Sequence, residues 1–143
     1  MADKKLYYED VNLGDELEPM TRTATKDEVR KFMGHMGFLH PRFFDEEHAK
    51  KEGLGGAVLP GPFSTALLCQ LVTRAFSFGA LKKISVDVKG PAHPDVPLTF
   101  GGMVINKYQV QGENIVECDL YVQTPDGDRP LKGSAILKVE SRP

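Results

Sequence analysis

The stretch that decides the fold is STALLCQLVTRAFSFG, which runs from Ser64 to Gly79. It is the longest apolar helical segment of the chain. A helix that is apolar nearly all round is typical of a buried helix. The stretch therefore predicts one buried helix over about residues 63–77. Its apolar residues cover more than one helix face; they are Ala66, Leu67, Leu68, Leu71, Val72, Ala75 and Phe76.

Downstream of this helix the apolar pattern changes to a period of two, which is typical of half-buried strands. It predicts strands at about 82–89, 97–110, 114–124 and 131–140. Turns at Gly112 and at Pro125-Asp126-Gly127-Asp128 join the strands into an antiparallel run. A long sheet needs a cover for its apolar face, and the helix at 63–77 has the largest apolar surface. We therefore predict an α+β fold of the hot-dog type, an antiparallel sheet wrapped around a long central helix.

The segment before the central helix predicts a short extended piece and two helices. Residues 16–23 are extended, and Thr25 with Glu28 forms a capping box that begins a helix ending at Gly37. Asp45 is a plausible N-cap for a second, short helix, which stops at Gly53. The chain shows no repeat and no interdomain linker, so residues 1–143 are predicted to form one domain.

Composition limits the partners and the location of the protein. The 143 residues carry a formal net charge of −2, with 41% hydrophobic and 27% charged residues. This balance predicts no attraction to nucleic acid or to an anionic membrane. No apolar run approaches the roughly 20 residues of a membrane span. We therefore expect a cytoplasmic protein, in which Cys69 and Cys118 are free thiols rather than a disulfide.

A second informative stretch is GFLHPRFFD, Gly37 to Asp45, which reads as a rigid loop between two helices. His40 is either a general base oriented by Asp45 or by a carboxylate of a partner chain, or a loop histidine with one structural hydrogen bond. Asp45 is a weak catalytic candidate beside its role as an N-cap. Phe38 and Phe43 either pack in the core or line a cavity.

The histidines do not predict a metal site. His35 and His40 lie five positions apart across a helix end, and His48 lies on a lysine-rich helix. None of these separations is a recognised metal-ligand spacing. We therefore predict that the protein binds no metal.

Several segments along nearly the whole chain resemble MaoC-like dehydratases, the group that contains the (R)-specific enoyl-CoA hydratases. The resemblance implies the hot-dog fold, an acyl thioester of coenzyme A or of acyl carrier protein as substrate, and no other cofactor. It also implies a dimer formed through the sheet, with the acyl pocket near the interface. Arg42 would then pair with a phosphate of coenzyme A or be an ordinary surface arginine. The similar segments are YEDVNLGDEL, TRTATKDEVRKFMGHMG, FDEEHAKKEGLGG, PGPFSTALL, VDVKGPAHPDVPLTFGGMV and GSAILKV.

The chain departs from this family at the catalytic motif. The family signature is Asp-x-Asn-Pro-x-His, followed after one residue by Asp or Glu. Aligned on Pro41 and Asp45, it places the catalytic Asp at Phe38, the Asn at His40 and the catalytic His at Phe43. Phenylalanine can neither deprotonate water nor protonate a carbon. Because such groups typically contribute about 10²–10⁴-fold, their loss should abolish hydration by that mechanism.

A second family feature, His-Gly-Met before the central helix, reads Pro60-Gly61-Pro62 here. Only the glycine remains, and its N–H can still bind a thioester carbonyl at the start of the helix. The resemblance therefore implies a pocket that binds without reacting. Its substrate-binding candidates are Phe38, His40, Phe43 and Gly61.

Three functions remain open at this point. The first, which we favour, is a non-catalytic subunit that shapes an acyl-thioester pocket, alone as a homodimer or beside a dyad-bearing MaoC-like chain. The second is an active hydratase or dehydratase with a rearranged site around His40. The third is a hot-dog thioesterase, although no Asp or Glu lies between Leu54 and Phe78 to serve that chemistry.

Overall fold

The computed structural model describes residues 5–77 and 80–143, and its elements follow the predicted order. The predicted bounds of the central helix and of the four long strands differ from the observed ones by two residues or fewer. The final residues of the quoted stretch, Phe78 and Gly79, lie outside the described residues. The elements are β1 (Met20–Thr23), α1 (Lys26–His35), α2 (Glu46–Lys51), α3 (Gly61–Ala75), β2 (Leu81–Val88), β3 (Pro97–Val110), β4 (Glu113–Gln123) and β5 (Leu131–Lys138), with 3₁₀ turns at Tyr8–Asp10 and Pro41–Phe43.

Two observed bounds have clear local causes. Helix α3 begins at Gly61, earlier than predicted, because Pro62 suits the first helical turn, where its missing N–H costs no hydrogen bond. The extended piece predicted at 16–23 becomes a ladder only from Met20. Before that point Glu16 makes a single bridge to Met103.

The strands form one antiparallel sheet in the order β1-β3-β4-β5-β2. The β3–β4 hairpin turns at Gln111 and Gly112, whose φ angles of 50° and 77° are those of a type I′ turn. Along β4 the inward residues Val116, Cys118 and Leu120 are buried. The period-two pattern therefore assigns these residues of β4 to the correct face of the sheet.

Helix α3 packs on one face of this sheet and contacts β2, β3 and β4. Leu68 and Val72 are completely buried, and Phe76 follows them into the core. Ala66 and Gln70 are exposed, so the helix is buried on most, but not all, of its circumference. The predicted α+β hot-dog arrangement is confirmed.

The backbone of β5 comes very close to the edge strand β2. A Cβ atom built on Gly133 would lie 2.3 Å from the carbonyl oxygen of Ser85. Only a glycine fits this approach, because a backbone oxygen cannot swing aside as a side chain can. The position of β2 matters for function, since its last residue, Val88, lines the cavity described below.

The two cysteines are free, as expected. Burial raises the pKa of the Cys118 thiol to about 12, so this thiol is unreactive at neutral pH. Within the described residues, no helix combines the length and apolar character needed to cross a membrane.

Candidate active site

The candidate site begins where α1 ends. The helix starts with the predicted capping box, in which the Thr25 hydroxyl accepts from the Glu28 N–H at 3.1 Å. It ends in a Schellman motif: the Phe38 N–H donates to the Met33 carbonyl at 3.0 Å, and Gly37 has a φ of +75°. This left-handed glycine turns the chain so that Phe38 projects outward with 59% of its surface exposed.

His40 and Pro41 set the position of Phe43. Pro41 opens a 3₁₀ turn over Pro41–Phe43, and the His40 side chain caps it by accepting from the Arg42 N–H at 3.2 Å. The turn buries Phe43 to 6% exposure. The ring centroids of Phe38 and Phe43 lie 6.2 Å apart, so the two positions at which the family resemblance expects the catalytic Asp and His are neighbours in space.

Glu46 in the first turn of α2 anchors the loop that leads to the central helix. One carboxylate oxygen accepts from the Lys26 ammonium at 3.0 Å, and the other from the Ala57 N–H at 3.1 Å. These two bonds lower the pKa of Glu46, with the bond from Lys26 the larger cause. The loop is further held by the Val58 N–H, which donates to the Arg42 carbonyl at 3.0 Å.

These elements enclose a cavity of about 490 Å³. This volume is in the range of small-molecule sites. The wall combines the turn after α1, the loop before α3, the start of α3 and the end of β2. The lining residues are Met33, Phe38, Arg42, Phe43, Leu54, Val58, Leu59, Pro60, Gly61, Pro62, Val88, Lys89, Gly90, Pro91, Ala92 and Leu131.

The start of α3 offers one N–H group to this cavity. Pro62 has no N–H, and the N–H groups of Phe63 and Ser64 donate to the Pro60 carbonyl at 3.1 and 3.3 Å. Gly61, at the first helical position, lines the cavity. Its N–H precedes the helical hydrogen-bond ladder, where a helix carries partial positive charge. Among the first backbone N–H groups of α3, that of Gly61 is therefore the candidate donor to a ligand oxygen.

The structure brings together three of the four predicted substrate-binding residues. Phe38, Phe43 and Gly61 all line the cavity, whereas His40 does not. The Nδ1 atom of His40 accepts from both the N–H and the Nε–H of Arg42, each at 3.2 Å. Because Arg42 engages the Nδ1 lone pair of His40, this geometry favours a loop histidine with structural hydrogen bonds over a general base.

Asp45 also lies away from the cavity. It caps α2 by accepting from the His48 N–H at 3.1 Å, as the sequence pattern predicts. Its carboxylate is therefore engaged in the helix start rather than aimed at the two phenylalanines. Asp45 as a catalyst stays a prediction without support from this geometry.

His40, His48 and Glu52 come together on the surface beside the site, although their sequence separations did not predict it. One potential ligand atom from each lies within 4.8 Å of the others. The Arg42 Nε–H, however, lies 3.2 Å from both His40 Nδ1 and Glu52 Oε1. The positively charged guanidinium of Arg42 therefore already contacts two of the three groups that a metal ion would need. That no metal binds stays a prediction.

Sequence reasoning missed the residues that complete the wall from other parts of the chain. Val88 and Lys89 come from the end of β2, and Glu46 acts indirectly by holding the loop. No local pattern marks Val88, which reads as an ordinary strand residue yet is 61% exposed. The high exposure of Val88 within an apolar cavity wall indicates a candidate ligand contact, and this exposure is known only from the folded structure.

The sheet, the buried helix and this mainly apolar cavity at the helix start define a hot-dog protein. A profile of the family described as "FAS1-like, dehydratase domain region" matches residues 12–117. The chain therefore belongs to this family of MaoC-like dehydratases, and the family resemblance seen in the sequence is confirmed. No curated protein sequence matches the chain.

Solved structures share the fold at low identity. The R-hydratase PhaJ1 from Pseudomonas aeruginosa is 16% identical, with a TM-score of 0.84 over 96% of this chain and 88% of that one. A MaoC-like dehydratase from Rhodospirillum rubrum is 21% identical, with a TM-score of 0.84 over 96% and 99%. The HadBC (3R-hydroxyacyl-ACP dehydratase) complex from Mycobacterium tuberculosis is 21% identical, with a TM-score of 0.72 over 87% and 95%.

Proposed function

We propose that this chain is a non-catalytic MaoC-like subunit that holds an acyl thioester and completes the pocket of a dimeric assembly. The observation that carries this proposal is the pair Phe38 and Phe43. They stand at the two dyad positions, face each other at 6.2 Å and line the cavity beside Gly61. In this proposal the Gly61 N–H binds the thioester carbonyl, and among the described residues that line the cavity there is no Asp, Glu or His to activate water.

The thioester carbonyl is held at the start of α3. The Gly61 N–H donates to the carbonyl oxygen, and the helix dipole favours the partial negative charge there. The acyl chain lies along Phe38, Phe43 and Val88, which exclude water from the thioester. The carrier is coenzyme A or acyl carrier protein.

The partner is either a second copy or a MaoC-like chain that carries the dyad. The HadBC dehydratase is described as a complex, which supports the heteromeric form. Edge strand β2 supports dimerisation in general, because an open edge presents unpaired backbone groups that proteins tend to cover. We expect sedimentation of the purified chain to give a dimer, or a monomer that dimerises when a dyad-bearing chain is added.

The experiment that tests this function is hydration of enoyl-CoA by the purified chain alone. Loss of the conjugated thioester absorbance is followed across several chain lengths, with a dyad-bearing MaoC-like hydratase as positive control. We expect no turnover, and we expect saturable binding of the same ligands by calorimetry. Turnover by the chain alone would overturn the non-catalytic role.

His40→Ala then separates the remaining alternatives. If turnover exists and His40→Ala abolishes it in a folded protein, the rearranged hydratase site is correct. Release of free thiol from acyl-CoA, measured with a thiol reagent, would instead support the thioesterase.

A further inference from the structure

The face of the sheet opposite α3, which we call the outer face, carries apolar side chains. The core residues of β4 alternate with residues that point to this outer face, such as Ile115 and Tyr121. Ile115 is only 3% exposed, although it lies outside the core cluster that the described residues form around α3. On the neighbouring strand β3, Met103 is 40% and Ile105 is 44% exposed. The outer face therefore has buried apolar surface of its own beside apolar side chains that are open to solvent.

A groove of about 340 Å³ on the outer face is acidic at one end. Met103 lies opposite Asp119 in the β3–β4 ladder and makes a β-bridge to Glu16 on its other side. Glu16 and Asp119 are both exposed, and both line the groove. Two carboxylates therefore flank one apolar side chain at this end.

The other end of the groove is basic. Tyr121 follows Asp119 as the next outward residue of β4, about 7 Å further along the strand. It lies opposite Lys132 in the β4–β5 ladder, and the guanidinium carbon of Arg129 lies 3.8 Å from the centre of its ring. Lys132 and Arg129 are exposed and line the groove together with Tyr121. The groove thus has two carboxylates at one end and two cations at the other.

These four charges are not neutralised within the chain. Among the described residues, no ion pair involves any of them. A groove with an acidic end and a basic end is complementary to the same groove turned by 180°. A two-fold axis between two copies sets each acidic end against the basic end of the other copy, which is the self-complementary arrangement that a symmetric contact requires.

The outer face is large enough for such a contact. The 11 residues of β4 span about 37 Å, and five strands about 4.8 Å apart span about 19 Å, which gives an area of about 700 Å². A standard interface takes about 800 Å² from each partner, and weaker interfaces take less. Among the described helices, α3 packs on the opposite face, whereas α1 and α2 contact the 3₁₀ turn at Pro41–Phe43. The outer face is therefore open to a partner.

We propose that the outer face binds a second copy of this chain across a two-fold axis. Asp119 of one copy pairs with Lys132 of the other, and the contact covers the exposed side chains of Met103 and Ile105. The proposal goes beyond the proposed function, because this surface is neither the edge strand β2 nor the cavity. Since its charges are exposed, the contact is weaker than an apolar dimer interface and forms as the protein concentration rises.

Sedimentation equilibrium of the full chain over a range of protein concentrations tests the proposal. We expect the parent chain to double its mass as the concentration rises, from whichever unit it forms at low concentration. Asp119→Lys and Lys132→Glu each bring like charges together at the contact, so each should raise the dissociation constant of this doubling at least about tenfold. Glu47→Lys and Lys51→Glu reverse exposed charges on α2 and should leave the doubling unchanged, which makes them the matched controls. Circular dichroism establishes that every variant folds.

A mixture of the two reversed variants identifies the pairing. The chain with Asp119→Lys carries two cations at the positions where the chain with Lys132→Glu carries two carboxylates, so the two chains complement each other. We expect the mixture to regain the doubling that each variant has lost. The double variant, Asp119→Lys with Lys132→Glu, exchanges the two charges within one chain and should regain the doubling as well.

Each outcome decides the proposal. Loss of doubling in both single variants, with recovery in the mixture, supports a second copy on the outer face. Doubling that persists in both single variants, as in the controls, overturns the proposal because the contact then lies elsewhere. Loss without recovery overturns the pairing of Asp119 with Lys132. A parent chain that never doubles overturns the second copy and leaves the groove to a different protein or to a small zwitterion. Because none of these results depends on turnover of enoyl-CoA, they are separate from the test of the proposed function.

Discussion

Replacing the two facing phenylalanines by the family dyad should create hydratase activity. The change is Phe38→Asp with Phe43→His. The 6.2 Å between the two ring centroids is close to the roughly 5.6 Å spanned by two hydrogen bonds that share one water. We therefore expect an Asp and a His at these positions to hold a water between them, beside the carbonyl that the proposed function places at Gly61.

The burial of the two phenylalanines sets the expected loss of stability, and general acid–base catalysis sets the expected gain in hydration rate. Phe38 is 59% exposed, so its replacement loses little apolar burial. Phe43 is only 6% exposed, and a polar ring there costs about 1–3 kcal/mol of the free energy of unfolding. Because one positioned acid or base contributes about 10²–10⁴-fold, we expect hydration at least about 100-fold faster than that of the parent chain.

The assay is loss of the conjugated thioester absorbance, with Phe38→Asn and Phe43→His together as the matched control. The Asn side chain has the shape of Asp but cannot act as a base. Circular dichroism and the unfolding midpoint establish that both variants fold. A folded Asp–His variant no faster than the Asn–His control would refute the reasoning, because it would show that the loop does not aim these positions at a bound thioester.

Three further changes test the framework around the cavity. The hydrogen bond from Lys26 is the main cause that holds the pKa of Glu46 in the folded protein below its ordinary value of 4.5. The stability that the ionised Glu46 carboxylate adds is therefore present above about pH 4.5 and is lost as the pH falls through the folded pKa. Between about pH 6 and about pH 3, the unfolding midpoint of Glu46→Gln should therefore fall less than that of the parent chain. Gly133→Ala should destabilise the fold by about 1–3 kcal/mol in denaturant unfolding, because its Cβ would meet the Ser85 carbonyl oxygen at 2.3 Å. Gly34→Ala, where a Cβ meets no atom within 4 Å, should instead raise stability by about 0.5 kcal/mol, and a loss there would contradict the helix propensity argument.

Much of the fold could be predicted because its signals are local. The capping box at Thr25, the stop at Gly37 and the cap at Asp45 all depend on hydrogen bonds between residues a few positions apart. The strand register follows from alternation, because a slip of one residue would turn every apolar side chain to solvent. The bounds of α3 and of the four long strands moved by two residues or fewer, whereas the extended piece predicted at 16–23 forms a ladder only over Met20–Thr23.

The candidate site could be predicted only in part. Aligning the motif on Pro41 identified Phe38 and Phe43, and the structure places both in the cavity wall. His40 illustrates the limit: its residue type suits a base, yet its lone pair is engaged by Arg42. Hydrogen-bond partners of this kind depend on side-chain placement, which residue types and spacings do not specify.

The sequence by itself determined the period of each segment, the helix caps and the presence of phenylalanine at positions 38 and 43 of the motif stretch, because these depend on residue identity and short separations. Only the tertiary structure decided which distant residues meet. Val88 and Lys89 from the end of β2 join Arg42 and Gly61 around one cavity because the strand order carries β2 past the start of α3. The cluster of His40, His48 and Glu52 around Arg42 likewise arises from the packing of α2 against the 3₁₀ turn. Contacts between distant segments depend on how the whole core packs, and no local pattern records them.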